Sequence, residues 1–292
     1  MDWQERMNRA IAWIEHHLTE EIEWEEAARE AHCSLFHFLR MFEVITDLTA
    51  GEYVRRRRLS LAAMELASGD AKVIDVALRH GYDSPDAFAK AFRKLFGCTP
   101  SEARQPGTRL RSYPPITFSI TLKGAHAMEY RIESKPTFSL TGVSIRTPMG
   151  GRSFQDVPAL WDRCLSDGTV DRLRKAAPAG STIDVAGVCA EFDMKGGQFT
   201  YLIAIETPAD RSALPDGCRD IPVPAATWGI FESRGPIPEA IQGLMQRIFG
   251  EWFPTSGWEH ADGPELEIYS RGDIRDPNYY SEIWIPLQKA AH

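Results

Sequence analysis

The chain has 292 residues, enough for about two ordinary domains, and its 43% hydrophobic and 25% charged content is normal for a folded soluble protein. A net charge of -8 excludes a generally basic nucleic-acid binder. No apolar run approaches the roughly 18 residues that span a bilayer. The opening MDWQERMNRA carries acids and no apolar core, so it does not read as a secretory signal and cytosol is the expected compartment. Cys33, Cys98, Cys164, Cys189 and Cys218 are scattered, odd in number and without a CxxC pair. They read as reduced thiols, and neither a metal site nor a cofactor is expected.

The charge is unevenly spread. Residues 1–33 hold three Arg and nine acids, whereas residues 34–112 hold thirteen Lys plus Arg and nine acids. The remainder is acidic again, so the only basic stretch is the one that carries the motifs described next.

Shifted by fifty residues, the N-terminal region matches itself. Ala27 falls on Ala77, Ser34 on Ser84, Phe38 on Phe88, Phe42 on Phe92, Thr49 on Thr99 and Glu52 on Glu102, with Arg40 on Lys90. In the first copy a helix from about Trp24 to Ala31 turns at His32-Cys33. Ser34 then caps a second helix bearing Leu35, Phe38, Leu39 and Phe42. A connecting helix follows over about Thr49–Ser68, roughly 30 Å at 1.5 Å per residue, close to the ~34 Å between successive major grooves on one DNA face. In the second copy Val73, Val76 and Ala77 form a short apolar face that stops near Gly81. Ser84 is an N-cap, Pro85 suits the first helical position and Asp86 complements the helix dipole. Phe88, Ala91, Phe92 and Leu95 then make one buried stripe, ended by Gly97 and Pro100. Helix, short turn, helix is the layout that lays its second helix in a major groove. From periodicity alone a helical bundle without a DNA role is an equal reading, and the doubled unit favours DNA. Arg55 to Arg58 run around the connector, so a solvated, salt-bridged face is the expected place of at least two of them, and phosphate is open to one or two.

The segments WEEAAREAHCSLFHFLRMFEVITDLTAGEYVRRRRLSLA and VIDVALRHGYDSPDAFAKAFRKLFGCTPSEARQ resemble the AraC/XylS family of bacterial transcription regulators. The resemblance implies double-stranded DNA as partner. It implies base contacts from the positions of Phe36, Leu39 and Arg40 in the first recognition helix and of Pro85, Asp86 and Lys90 in the second. Phe36 and Leu39 depart from polar base readers, and contact with thymine methyls and simple packing are both open to them. Pro85 cannot donate a side-chain hydrogen bond. Arg40 and Lys90 are the expected readers, and Arg93 the expected phosphate contact.

QPGTRLRSYPP, residues 105–115, is a linker by composition. After it Ile116, Phe118, Ile120 and Leu122 alternate with polar residues, which predicts a strand or short hairpin arm. From about Met128 the pattern turns to strands at Glu129–Glu133, Phe138–Arg146, Asp184–Glu191, Thr200–Glu206, Thr227–Arg234, Leu266–Tyr269 and Glu282–Leu287. Helices are predicted at Phe154–Leu165, Val170–Ala176 and Pro238–Phe253. The expected fold is therefore multidomain. An all-α tandem helix-turn-helix domain (1–107) and a linker arm (108–127) precede an α+β domain (128–288). That domain has an antiparallel sheet and two similar strand-helix-strand-strand halves. Gly150-Gly151 lacks the context of a phosphate loop, and His126 and His260 have no paired ligand spacing.

The C-terminal half is rich in aromatics, and in YYSEIWIPL the acid Glu282 shares a strand face with Tyr280 and Trp284. A carboxylate among aromatic rings can hold a cation by charge and by cation–π contact. An edge-strand acid over core aromatics is the equal alternative. MEYRIESKPTFSLTGVSIR, PAATWGIFESRGPIPEAI and YYSEIWIPL resemble the GyrI-like small-molecule-binding domain. The resemblance implies a lipophilic, often cationic effector at the position of Glu282, with Tyr201, Trp228, Tyr269 and Trp284 lining the site and Trp161, Trp258 and Tyr280 nearby. The combined expectation is a ligand-controlled transcription regulator, not an enzyme, acting as monomer or homodimer. RNA polymerase is a further expected partner, and no membrane is involved. The alternative makes the C-terminal domain a hydrolase of a small electrophile with Glu282 as general base.

Overall fold

A computed structural model describes residues 3–69, 71–105, 107–119, 127–149, 152–194 and 196–290. Seven helices occupy the described N-terminal region: α1 (Trp3–His16), α2 (Trp24–Glu30), α3 (Leu35–Thr46), α4 (Ala50–Ser68), α5 (Val73–Arg79), α6 (Pro85–Phe96) and α7 (Pro100–Ala103). The chain divides into two compact units: 1–35 with 50–122, and 36–49 with 123–292.

In the first unit the second helix pair forms as its caps dictate. The Ser84 hydroxyl accepts from the Ala87 N–H, Pro85 starts α6, and Gly97 ends it in the left-handed conformation at φ 77°. Phe88 and Phe92 are fully buried in a core with Leu59, Ala62, Leu66, Val76 and Ala77. Thr99 and Glu102 close a capping box at α7. The turn between α5 and α6 is one residue longer than its counterpart. The Tyr82 N–H bonds the Ala77 carbonyl as the Cys33 N–H bonds that of Ala28. Ala28, not Ala27, is therefore the structural counterpart of Ala77, and the repeat is 49 residues before the turn and 50 after it.

Of the four arginines on α4, Arg57 donates to Glu15 and to the Tyr113 carbonyl, and Arg58 donates to the Leu18 and Glu20 carbonyls. Arg55 and Arg56 pair with Glu52. Arg57 and Arg58 thereby tie α4 to other segments of this unit, whereas the pairs of Arg55 and Arg56 lie on the surface of their own helix. The predicted strand at 116–122 is not formed over its described part. Asn8 bonds both the N–H and the carbonyl of Phe118, whose ring packs on Trp3, so the segment is an extended strap on α1. Residues 120–126, His126 among them, and Gly150-Gly151 lie outside the described residues.

The second unit is built on an antiparallel nine-stranded sheet, β1 (Tyr130–Lys135), β2 (Phe138–Pro148), β3 (Val185–Asp193), β4 (Gln198–Glu206), β5 (Arg219–Val223), β6 (Ala226–Arg234), β7 (Trp258–His260), β8 (Glu265–Tyr269) and β9 (Tyr280–Lys289). The order is β1-β6-β9-β8-β3-β4-β2-β5, with β7 paired to β9. Between β2 and β3 lie α8 (Ser153–Ser166) and α9 (Thr169–Ala176). Between β6 and β7 lie α10 (Glu239–Arg247), a π-helical turn (Ile248–Trp252) and α11 (Phe253–Ser256). The predicted halves are present, with β5 and β7 added.

Directly paired residues of an antiparallel sheet point to the same face. Phe231, Ile283, Glu267, Gly187 and Ile203 are successive partners, so they share one face, and α8 and the π-helical turn pack on it through Trp161 and Trp252. Ile230, Trp284, Leu266, Val188 and Leu202 share the other, the apolar core that also holds Trp228.

The same unit contains α3. Its sequence, LFHFLRMFEVIT, is apolar almost all round, and a helix of that kind is stable only when buried on several sides.

Candidate functional site

The aromatic residues singled out in the sequence separate onto the two faces of the sheet. On the core face stands Glu282, paired in register with Ile268 and Glu232. It is buried, and it is already satisfied. Arg131 Nη1 donates to its Oε1 at 2.8 Å, Tyr280 Oη to Oε1 at 2.7 Å and Trp284 Nε1 to Oε2 at 2.7 Å. Burial opposes its ionisation, yet these three donors hold the carboxyl below the usual carboxylate range. Lys135 lies 4.6 Å from the centroid of the Trp284 ring, and Trp228 packs edge-on against Trp284 at 6.2 Å. The carboxylate holds one cation of the chain itself, Arg131, while Lys135 pairs with Glu133 and lies over the Trp284 ring. An effector at Glu282, as the sequence leads one to expect, would have to share the carboxylate with Arg131, Tyr280 and Trp284. A carboxyl held ionised by an arginine is also a poor general base at neutral pH. Trp258 stands apart from both groups, under Lys289 at 3.6 Å.

On the opposite face stands Glu267, which the sequence reading passed over. Tyr269 Oη donates to its Oε2 at 2.6 Å and Tyr201 Oη at 3.3 Å, while Trp161 Nε1 donates to the Tyr201 hydroxyl at 2.9 Å. The Trp161 and Tyr269 rings meet edge to face at 5.2 Å. Among the described residues Oε1 of Glu267 accepts no hydrogen bond and the carboxylate has no ion-pair partner. Desolvation pushes its carboxyl above the ordinary value, with the help of the nearby Glu265 charge and against the two tyrosine bonds and the more distant Arg40 charge. Glu267 and Trp161 nevertheless keep partial exposure, so the site opens outward. Of the predicted residues Tyr201, Tyr269 and Trp161 gather here. Trp228, Trp284 and Tyr280 do not.

Gly187 makes the room. A methyl group built on it would lie 2.2 Å from the Tyr201 hydroxyl and 2.9 Å from Glu267 Oε2. Gly187→Ala is expected to force the buried Tyr201 ring, whose Cζ would lie 3.0 Å from the added methyl, away from Glu267. The expected result is a loss of roughly 1–3 kcal/mol of stability, read as a lowered midpoint in thermal melts.

In the helical region, α6 presents Pro85, Asp86, Lys90 and Arg93 exposed, with Lys94 beside them. Its equivalent α3 presents no such face. Leu39 is buried and Phe36 half-buried, and Arg40 is enclosed. Arg40 Nε and Nη2 donate to the two oxygens of Glu265 at 2.5 and 2.6 Å, and Nη1 pairs with Glu43. Burial works against the Glu265 charge, but Arg40 and His260 pull its carboxyl down to about 2. In this structure the surfaces of Phe36, Leu39 and Arg40, the base readers expected from the sequence, are spent on internal packing.

These two features, an exposed recognition helix behind a capped turn and a two-faced antiparallel sheet, agree with relatives. A helix-turn-helix domain family matches residues 27–106. Regulatory protein SoxS of Escherichia coli (strain K12) is 36% identical over 104 residues, which are 36% of this chain and 97% of the relative. The HTH-type transcriptional activator AarP of Providencia stuartii is 36% identical over 102 residues, 35% of this chain and 76% of the relative. The chain is a DNA-binding transcription regulator of the AraC type. Residues 131–287 of the regulator, more than half of it, match the integron-associated effector binding protein family. The solved structure of SAV2435 bound to tetraphenylphosphonium has a TM-score of 0.50 and 23% identity, covering 55% of the regulator and 94% of that chain. At that identity the likeness concerns the fold, here the GyrI-like sheet domain. Among the described residues no helix is long and apolar enough to cross a membrane.

Proposed function

We propose that the regulator senses a lipophilic organic cation, held at Glu267 between Trp161, Tyr201 and Tyr269, and reads DNA chiefly through Lys90, with Arg93 on phosphate. The observation that carries the effector reading is the Glu267 carboxylate itself. It is deeply set and costly to ionise, its only hydrogen-bond donors among the described residues are two tyrosines, and it has one oxygen left open. A buried charge without a partner is costly. A delocalised cation supplies that partner without needing hydrogen bonds, and the rings add cation–π attraction of roughly 0.5–2 kcal/mol each. SAV2435, of similar fold, was solved with such an ion, which makes tetraphenylphosphonium the natural probe.

Calorimetric titration of the full chain with tetraphenylphosphonium and with tetraphenylborate, near-equal in shape and opposite in charge, tests the reading. The cation is expected to bind at least tenfold more tightly than the anion. Equal affinities, or binding of the anion alone, would contradict it.

A further inference from the structure

The two recognition helices are internal copies, so α6 serves as the control for α3. Asp86, Ala87, Lys90, Arg93 and Lys94 of α6 are exposed, and the matching residues of α3 are Phe36, His37, Arg40, Glu43 and Val44, each half-buried or buried. The side that α6 leaves free is the side that α3 lays on the effector sheet. Phe36 meets Phe192 at 5.7 Å and His260 at 4.9 Å, and His37 Nδ1 accepts from the His260 backbone N–H at 3.0 Å. The Arg40 guanidinium lies 5.5 Å from the Phe192 ring and 5.9 Å from the Phe249 ring, with Glu265 across its end. Phe192 sits in a register shift of β3, between Ala190 and Asp193, beside Glu191 at φ 51°. Such bulges re-aim a side chain.

We infer that Glu265, Phe192 and Phe249 form an arginine-receiving socket whose partner is the first recognition helix of this same chain, so that docking of Arg40 and its contact with DNA exclude each other. A contact needed only for packing is better served by an apolar side chain, because a buried ion pair gains little or nothing over a well-packed hydrophobic one. An arginine in this place has a second use. It is the α3 counterpart of Lys90, and guanidinium is the group best fitted to guanine in the major groove. The docked chain therefore reads DNA with one head, and the undocked chain with two.

Glu267 lies two residues from Glu265 on the same face of β8, about 7 Å along the strand. A cation seated at Glu267 opposes the positive charge of Arg40 and loosens its hold. This coupling rests on the effector reading above, whereas the docking does not.

The test is a double-mutant cycle in the full chain, by fluorescence anisotropy at fixed salt, on a duplex selected from a random-sequence pool by the wild-type chain at low salt. Without ligand, Arg40→Ala is expected to change affinity less than twofold in the wild-type chain and to cost at least tenfold in the Glu265→Gln chain, which itself binds more tightly than wild type. Equal costs of Arg40→Ala in both chains would overturn the socket. Phe192→Ala, which removes one wall of the socket and weakens the docking, gives the same cycle if Glu265→Gln does not fold. Tetraphenylphosphonium is expected to tighten wild-type binding at least threefold and to leave the Glu265→Gln chain unchanged. An equal response of both would overturn the coupling alone, and absence of calorimetric binding would overturn the effector reading alone.

Discussion

Glu267→Gln is expected to make the regulator more heat-stable at neutral pH and nearly blind to organic cations. The two effects have one cause. Desolvation raises the Glu267 carboxyl in the folded chain. A group whose folded pKa lies above its unfolded value holds its proton more tightly in the native state, so stability falls as pH rises through the interval between the two, and the cost is fully present above it. Glutamine keeps the shape and carries no charge, which removes that cost. Wild-type stability should therefore drop relative to the Glu267→Gln chain as pH is raised from the ordinary carboxylate range, and the gap should level off at higher pH. Thermal melts of the two chains across pH measure it, and a gap of the opposite sign would contradict the assignment. Cation binding moves the other way. It needs the ionised form, so wild-type affinity for tetraphenylphosphonium should rise over the same pH interval and then level. The Glu267→Gln chain should show a weak, pH-independent residue, lower by roughly 2 kcal/mol or about thirtyfold, the size expected when one partner of a desolvated charge pair is lost. A stability gain coupled to a loss of function is the usual sign of a binding site.

The second large effect is expected at Lys90. Its side chain is exposed on α6, six positions after Ser84, on a helix whose opposite side is fixed by the buried Phe88 and Phe92. Lys90→Ala removes no packing, so the melting curve should stay within about a degree of wild type. Operator affinity should fall by roughly 1–3 kcal/mol, about fivefold to a hundredfold, with relaxed discrimination at the contacted base pair. Arg93→Ala should weaken binding to specific and random duplexes alike and lower the salt slope by about one, as loss of a phosphate contact does. Specific affinity unchanged by Lys90→Ala in an anisotropy titration at fixed salt would remove Lys90 as the reader.

Much of this was legible in the chain. The tandem heads show in the sequence because their determinants are local. Ser84, Pro85 and Gly97 act within one helix, and the Phe38/Phe42 and Phe88/Phe92 stripes repeat with the helical period. The sheet strands show for the same reason, since alternation is a property of a few adjacent residues. What was hidden depends on long-range register. Glu282 and Glu267 look alike in sequence, each an acid in a strand with an aromatic two residues on. Only the order β1-β6-β9-β8 brings Arg131 onto Glu282 and sets the two acids on opposite faces. A signal for Glu267 did exist. Glu265, Glu267 and Tyr269 alternate with Leu266 and Ile268, so β8 carries polar residues along a whole face, which a sheet covered by helices tolerates only for a reason. The docking of α3 was half visible. Phe36 and Leu39 were recognised as poor base readers, and the apolar circumference of the helix says that it is covered. Nothing local says by what. The strap at 116–119 alternates like a strand, but Asn8 satisfies the Phe118 backbone groups that a partner strand would otherwise take.

The account turns on which acid receives the effector. Calorimetric titration of tetraphenylphosphonium into wild-type, Glu267→Gln and Glu282→Gln chains, side by side at neutral pH, decides it most directly. Affinity should fall about thirtyfold in the Glu267→Gln chain and stay within threefold of wild type in the Glu282→Gln chain, whose acid already holds Arg131. Loss of binding in the Glu282→Gln chain with retention in the Glu267→Gln chain would contradict the account.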